Sequence, residues 1–351
     1  MTRDVPVDSV SGGPLATERN PPQIGEFLTV VLAATGPLLR PGCFSLQGSR
    51  TQPFPGTVTM EATALTPSSP SRFPVAYDPG RPTELHPLYG AVAEEVGWVP
   101  APGYVLRRAR VLAALESRRP GSLLEVGCGA GALLHDLSRM GFRCEAIETA
   151  PGARRVARHI NRAVPNFALH PGWEHPWASR FDYVVALEVL EHIEDDVSAL
   201  ESWCRWLKPG GTLVLSVPAH AKRWDVDDEA VGHFRRYEKR GLVELLSRTG
   251  FAVEHLECWG YPLANIIRPL RNYKYRRKLK QQNATPQSDD AQRAALSGES
   301  GVDRSFEARL YPLQATRVGT MVMSCFLKLQ EAFAGTELGN GFLVVARKSE
   351  L

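Results

Sequence analysis

Residues 123–131 read Leu-Leu-Glu-Val-Gly-Cys-Gly-Ala-Gly. An apolar run ends in glycines at alternate positions, Gly127, Gly129 and Gly131, and passes into the apolar stretch Ala132-Leu133-Leu134-His135-Asp136-Leu137. This order predicts a buried strand, a tight turn and a helix start. Glycine suits the turn because the chain must bend sharply there and a ligand must come close to its backbone. A nucleotide-bearing cofactor is the expected ligand. Spacing alone leaves its identity open, since Gly127-x-Gly129-x-x-Ala132 also satisfies a dinucleotide fingerprint, with Glu148 at about the right distance to hold a ribose.

Glu125 narrows the choice. A carboxylate at the mouth of the strand suits a cofactor that carries an ammonium and a sulfonium, S-adenosylmethionine (SAM), and suits a pyrophosphate poorly. Working outward, residues 143–148 read as a short strand, 152–163 as a helix and 167–170 as the next strand. Residues 181–187 (FDYVVAL) and 212–217 are buried strands, separated by a helix over 197–207 that Lys208-Pro209-Gly210-Gly211 ends. A helix over 242–248, a strand over 251–258 and a last strand over 341–347 follow, and a helix over 104–115 with a basic face precedes the glycine unit. Continuous apolar strands alternating with helices predict an α/β fold, a doubly wound, mostly parallel, Rossmann-like sheet.

The chain is predicted to divide into a disordered N-terminal segment, 1–85, a cofactor-binding core, 86–260, an insertion, 261–340, and a last core strand with its tail, 341–351. The N-terminal segment is proline-rich and has no sustained period. Part of it is open to being non-native, with translation starting at Met60; an intact mass that includes residue 1 would remove that idea. The insertion holds a basic run, 268–280, with seven Lys and Arg and no acid, then a polar stretch, 281–305, expected to be disordered, then an apolar helix, 317–333.

Composition excludes several classes. A net charge of +3 is too small to argue for nucleic acid. Six cysteines without a C-x-x-C pair suggest neither a zinc site nor a disulfide framework, and fit a reducing cytoplasm. No apolar run reaches the ~18 residues of a membrane span, and the short apolar run 27–39 follows Glu26 rather than a basic region, which makes a poor signal peptide.

Four motifs in order, LLEVGCGAG, the acid-ended strand AIE, FDYVVALEVLEHIED and LKPGGTLVLSVPA, resemble those of the class I, seven-stranded SAM-dependent methyltransferases. The resemblance covers roughly residues 104–260 and the final strand. EVLEHIED followed by VGHFRRYE is most similar to bacterial members of the methyltransferase 23 and quinone O-methyltransferase type. It implies that Gly127, Cys128, Gly129 and Gly131 pack against the methionine portion and ribose of SAM, with Glu125 beside them. It also implies that Glu148 accepts the ribose hydroxyls and that Leu187 lines the pocket. The family's acidic residue after the third strand has no plain counterpart in His170-Pro171-Gly172-Trp173-Glu174; either Glu174 meets the adenine or Trp173 stacks on it.

The candidate catalytic residues are His192 and His233. Glu188, Glu191 and His192 stand at i, i+3 and i+4, so a helix would place them on one face. With His233 they offer two carboxylates and two imidazoles to a divalent metal, an arrangement similar to metal-dependent O-methyltransferases of quinone precursors or RNA 2′-hydroxyls. The weightier reading is structural, with His192 packed under the sheet edge and the glutamates paired to Arg235 and Arg236. His220 and the acidic loop 225–229 are weaker candidates, and the loop reads as solvated. The basic run reads first as a solvated helix face, and alternatively as a peripheral contact with an anionic membrane that suits a lipid-linked acceptor.

Methyl transfer from SAM to a small-molecule or lipid-linked acceptor, at oxygen, is the leading function for a cytoplasmic or membrane-peripheral protein. The competing readings are an NAD-dependent oxidoreductase, an RNA 2′-O-methyltransferase and a non-catalytic SAM-binding protein. Glu125 and LKPGG count against the first, and the absence of an aromatic-plus-basic platform against the second.

Overall fold

A computed structural model describes residues 83–282 and 304–349. Most of the N-terminal segment, with Met60, and most of the polar stretch 281–305 lie outside the described residues. The first described strand, β1 (Glu84–His86), overlaps the end of the stretch 1–85 expected to be disordered, and it pairs antiparallel with β2 (Gly90–Val92).

The main sheet is the α/β, doubly wound, seven-stranded one that the motifs imply. Its strands are β3 (Ser122–Val126), β4 (Arg143–Ile147), β5 (Ala168–His170), β6 (Phe181–Leu187), β7 (Leu207–Pro218), β8 (Phe251–Trp259) and β9 (Gly341–Lys348), in the spatial order β5-β4-β3-β6-β7-β9-β8. All pairings are parallel except those of β9, which runs antiparallel to both β7 and β8. β7 starts earlier than expected. It takes in Lys208-Pro209-Gly210-Gly211, with Gly210 at φ +65° and a register shift against β6 at Phe181/Tyr183.

Helices α1 (Pro102–Glu116), α2 (Ala132–Arg139), α3 (Pro151–Ile160), α4 (Asp196–Trp206), α5 (Val226–Val231) and α6 (Lys239–Arg248) connect the strands. The central strands are buried on both faces, which is why they read as apolar runs rather than alternating ones. Leu124, Val126, Val184, Ala186, Leu213, Leu215 and Val344 pack with Leu200, Trp203 and Leu246 in one core, and Leu123 and Val185 on alternate positions are buried as well.

The insertion forms α7 (Leu263–Gln282), α8 (Ser305–Gln314) and α9 (Arg317–Phe333). Gln330 ties α9 to the core, donating to the Leu106 carbonyl at 2.9 Å and accepting from the Gly260 N–H at 3.1 Å. Tyr89 next to β2 donates to the Gln314 carbonyl of α8 at 2.8 Å.

β3 leads to β4 on one side while β6 lies on its other side, so the C-terminal ends of β3 and β6 form a switch point, where open α/β sheets leave a crevice.

Candidate active site

A cavity of about 1240 Å³ opens at this switch point. One end is built by the loop after β3. Gly127 has φ +67°, and a Cβ there would lie 2.6 Å from Val189 Cγ2, so only glycine fits. The Gly127 and Cys128 N–H groups donate to the Ile147 carbonyl, and the Gly129 N–H donates to Glu148 Oε2 at 2.8 Å. Glu148 Oε1 accepts from the Ala150 N–H at 2.8 Å. Glu148 therefore braces the glycine loop, a role that its ribose assignment did not include. Each oxygen has a second lone pair, and Glu148 lines the cavity.

Glu125, Gly127, Cys128, Gly129, Glu148 and Leu187 all line this cavity. Gly131 does not. It opens α2 at φ +66°, and a Cβ would lie 2.7 Å from Asn161 Nδ2, so its glycine is required by packing against α3 rather than by a ligand. Trp173 reaches the cavity wall, whereas exposed Glu174 is not among the lining residues.

Glu125 is buried, and among the described residues its Oε2 has no hydrogen-bond partner. Burial pushes its carboxyl up to about 8, against the pull of Arg107 and with the repulsion of Glu148. Sequence reasoning missed three further lining residues. Trp98 follows the β1–β2 hairpin, Tyr104 presents a buried hydroxyl without a partner, and Arg107 turns inward, 4.0 Å from Glu188 Oε1 and over the Trp259 ring. For Tyr104 and Arg107 a signal existed, because they lie one turn apart at i and i+3 on α1.

The other end holds the two candidate histidines. Ligand atoms of Glu191, His192 and His233 all lie within 4.8 Å of one another. The His192 and His233 rings meet edge to face at 4.6 Å, and His233 Nε2 is 3.7 Å from Glu191 Oε1. His233 Nδ1 is held 2.8 Å from Asp228 Oδ1, and Arg236 Nε lies 2.8 Å from the same carboxylate. Burial raises the Asp228 pKa, but its hydrogen bonds to His233 and Arg236 win and hold it at about 2. Glu191 is fully buried, neither of its oxygens has a hydrogen-bond partner, and burial followed by the charge of Glu188 pushes its pKa well up. The His192 Nδ1 is likewise buried without a partner, and burial with neighbouring His233 pushes the imidazole down to about 3.

Several expectations around this end need correction. No helix carries Glu188, Glu191 and His192. Glu188 sits at φ +58° and Leu190–His192 make a single 3-10 turn, so Glu188 turns to accept from Ser216 Oγ at 2.6 Å, outside the cluster. Arg235 and Arg236 pair with Asp196 and Asp228 rather than with the glutamates. The stretch 225–229 is not a solvated loop, because Asp225 and Asp228 form a capping box that starts α5, with Asp227 and Asp228 buried. His220 lies beside Cys258 and Phe342, away from the cavity.

Residues 101–256 match the family described as "Methyltransferase domain". They are a methyltransferase domain of class I. The domain is 36% identical over 113 residues to the ubiquinone biosynthesis O-methyltransferase of Alkalilimnicola ehrlichii, covering 31% of this chain and 44% of that protein. It is 39% identical over 94 residues to the enzyme of the same name from Methylobacterium sp. (strain 4-46), covering 26% and 38%. The chain thus spans less than half the length of these curated relatives. Among solved structures, phosphoethanolamine N-methyltransferase 2 of Haemonchus contortus in complex with SAM aligns with a TM-score of 0.43 at 16% identity, over 70% of this chain and 52% of that one.

Proposed function

We propose that this protein transfers a methyl group from SAM to an oxygen of a small-molecule acceptor. The observation that carries the reading is Glu125, a buried carboxylate that lines the cavity and keeps one oxygen unpartnered among the described residues, beside a loop that a Cβ would block. An ammonium answers that carboxylate and a pyrophosphate does not. Glu125, Gly127, Cys128, Gly129, Glu148 and Leu187 would hold the cofactor, with Trp173 against the adenine. SAM, when bound, supplies a methyl carbon already activated by its sulfonium. The protein's part is to hold the acceptor in line and dry, and such positioning is worth up to ~7–11 kcal/mol. In calorimetry, SAM and S-adenosylhomocysteine are expected to bind and NAD to give no heat; tighter binding of NAD would sink the reading. Transfer of labelled methyl to a catechol, with none to RNA, is the matching turnover result.

The relatives' names, ubiquinone biosynthesis and O-methylation, lead us to assign an aromatic hydroxyl on a lipid-linked ring as the acceptor. The insertion helices support a peripheral membrane contact, since Val318 and Met321 on α9 and Leu313 on α8 are each more than 60% exposed. Among the described residues no helix is long and apolar enough to cross a membrane. Flotation with anionic vesicles should be lost on Val318→Ser with Met321→Ser; unchanged flotation removes the contact.

A divalent metal at Glu191, His192 and His233 is the second element of the proposal. Two observations favour it. Asp228 fixes His233 through Nδ1 and leaves Nε2 toward the cluster, the usual carboxylate–histidine support of a metal ligand. Buried Glu191 and neutral His192 both present unpartnered atoms. Two imidazoles and one carboxylate suit a first-row transition ion better than calcium, and such an ion lowers the pKa of a bound hydroxyl. EDTA treatment is expected to lower turnover by about 10²–10⁴, with recovery on adding metal back. Full activity in a preparation shown to be metal-free leaves His233 as the proton acceptor.

A further inference from the structure

We propose that a cleft between α7 and the turn before α5 is a binding site for a phosphate-bearing anion, separate from the cofactor cavity. The cleft encloses about 420 Å³ and is lined by Arg223, Arg268 and Arg276, facing one carboxylate, Asp225. Three guanidiniums against one acid leave a surplus of two positive charges, the charge of a phosphomonoester dianion. Arginine forks match phosphate oxygens in geometry as well as in charge.

The positive charge is not fully answered within the protein. Arg276 Nη2 reaches Asp225 Oδ1 at 3.0 Å. Among the described residues Arg268 has no such partner. Its Nη2 donates to the Arg223 carbonyl, and its Nε is buried without any hydrogen bond. Burial and the nearby charge of Arg236 press its guanidinium below the ordinary arginine value against the pull of Asp227, Asp228 and Asp225, so an added anion would relieve it. Tyr273 and Pro269 also line the cleft, and Tyr273 is 43% exposed, which gives the organic part of a phosphoester an apolar surface to lie on. Arg268 and Asn340 line both this cleft and the large cavity, so an occupant would sit against the wall of the methyltransferase site without entering it.

The shared chemistry has two sources, a soluble phosphoester and the headgroup of an acidic phospholipid. The test titrates the full chain with inorganic phosphate and with phenyl phosphate at constant ionic strength. In parallel it sediments the protein with phosphatidylcholine vesicles containing or lacking phosphatidic acid. Arg276→Gln and Arg223→Gln are compared with the wild type, and thermal unfolding and SAM titration check that each variant is folded. The expected result is saturable binding in at least one arm, weakened about tenfold by each substitution and partly restored by Arg276→Lys, with SAM affinity unchanged. Binding of the soluble phosphates assigns a soluble ligand, and binding only to phosphatidic acid vesicles assigns a headgroup. No binding in either arm, or binding indifferent to both substitutions in folded protein, overturns the site. SAM affinity is read separately, so failure here is distinguishable from failure of the methyltransferase reading.

Discussion

Replacing Glu125 with glutamine is expected to stabilise the empty protein at pH 8 and to weaken SAM binding about 30-fold or more, the loss that follows truncation of one partner in a buried charge pair. The stability term follows from linkage. The folded carboxyl titrates at about 8 against an ordinary 4.5, so the folded state holds its proton more tightly than the unfolded chain. Stability is therefore lost as pH rises from about 4.5 to about 8, by on the order of 4 kcal/mol across the window. A buried glutamine amide without a partner takes back about 1–3 kcal/mol, which leaves a net gain of about 1–3 kcal/mol at pH 8 and a net loss of about 1–3 kcal/mol near pH 4.5. The same carboxyl should make wild-type SAM affinity rise toward pH 8 and release a proton on binding, while the variant's affinity stays flat. Denaturant titrations at pH 5 and pH 8, with calorimetry in two buffers of different ionisation heat, measure both halves. Equal SAM affinity of variant and wild type would remove Glu125 from the cofactor site.

The second large effect is at Asp228. Its side chain is fully buried against Arg236, itself 1% exposed. Asp228→Ala takes the 2.8 Å partner from Arg236 and leaves it, of the described carboxylates, only Asp227 at 3.9 Å, and breaking a buried pair costs about 3–5 kcal/mol. Being held at about 2 against an ordinary 3.8, Asp228 contributes stability that is present above pH ~3.8 and lost as pH falls through ~2. The variant should therefore show a flatter acid limb as well as a lower plateau. His233→Gln leaves Asp228 and Arg236 paired, so it should cost no more than about 1–2 kcal/mol while lowering turnover by about 10²–10⁴. Denaturant midpoints beside initial rates separate the two roles. Stability of Asp228→Ala within ~1 kcal/mol of the wild type would mean that the pair is not what holds α5.

The contrast between these sites shows what the chain discloses by itself. The strands and the glycine loop were legible because burial on both faces forces apolar runs and because Gly127 must take φ +67°. Glu125 drew notice as a carboxylate at the mouth of an apolar strand, and the fold sets it on the cavity wall. Gly131 misled, since a glycine demanded by a neighbouring helix looks the same as one demanded by a ligand. Glu188, Glu191 and His192 misled more, because helical spacing was assumed where Glu188 adopts a left-handed conformation and turns toward Ser216. Asp228 was hidden within an acidic run whose solvation seemed the simpler account. Its pairing with His233 and Arg236 rests on the chain turning back at Gly232 after α5, which no local period announces. Arg107, Trp98 and Tyr104 came from segments outside the glycine unit, where position in space carries the information.

The order of strands has a consequence for how the protein is made. β9 is an interior strand, hydrogen-bonded to β7 over residues 341–347 and to β8 over residues 341–348. During synthesis β8 emerges well before β9, with α7, α8 and α9 still to come. Until then β7 offers an open, apolar edge and β8 lacks the partner it has in the finished sheet. Such an edge invites pairing with other chains. The nascent protein thus passes through a stage in which its glycine loop can form while its sheet cannot close, and chaperone demand should fall only once residues 341–348 leave the ribosome.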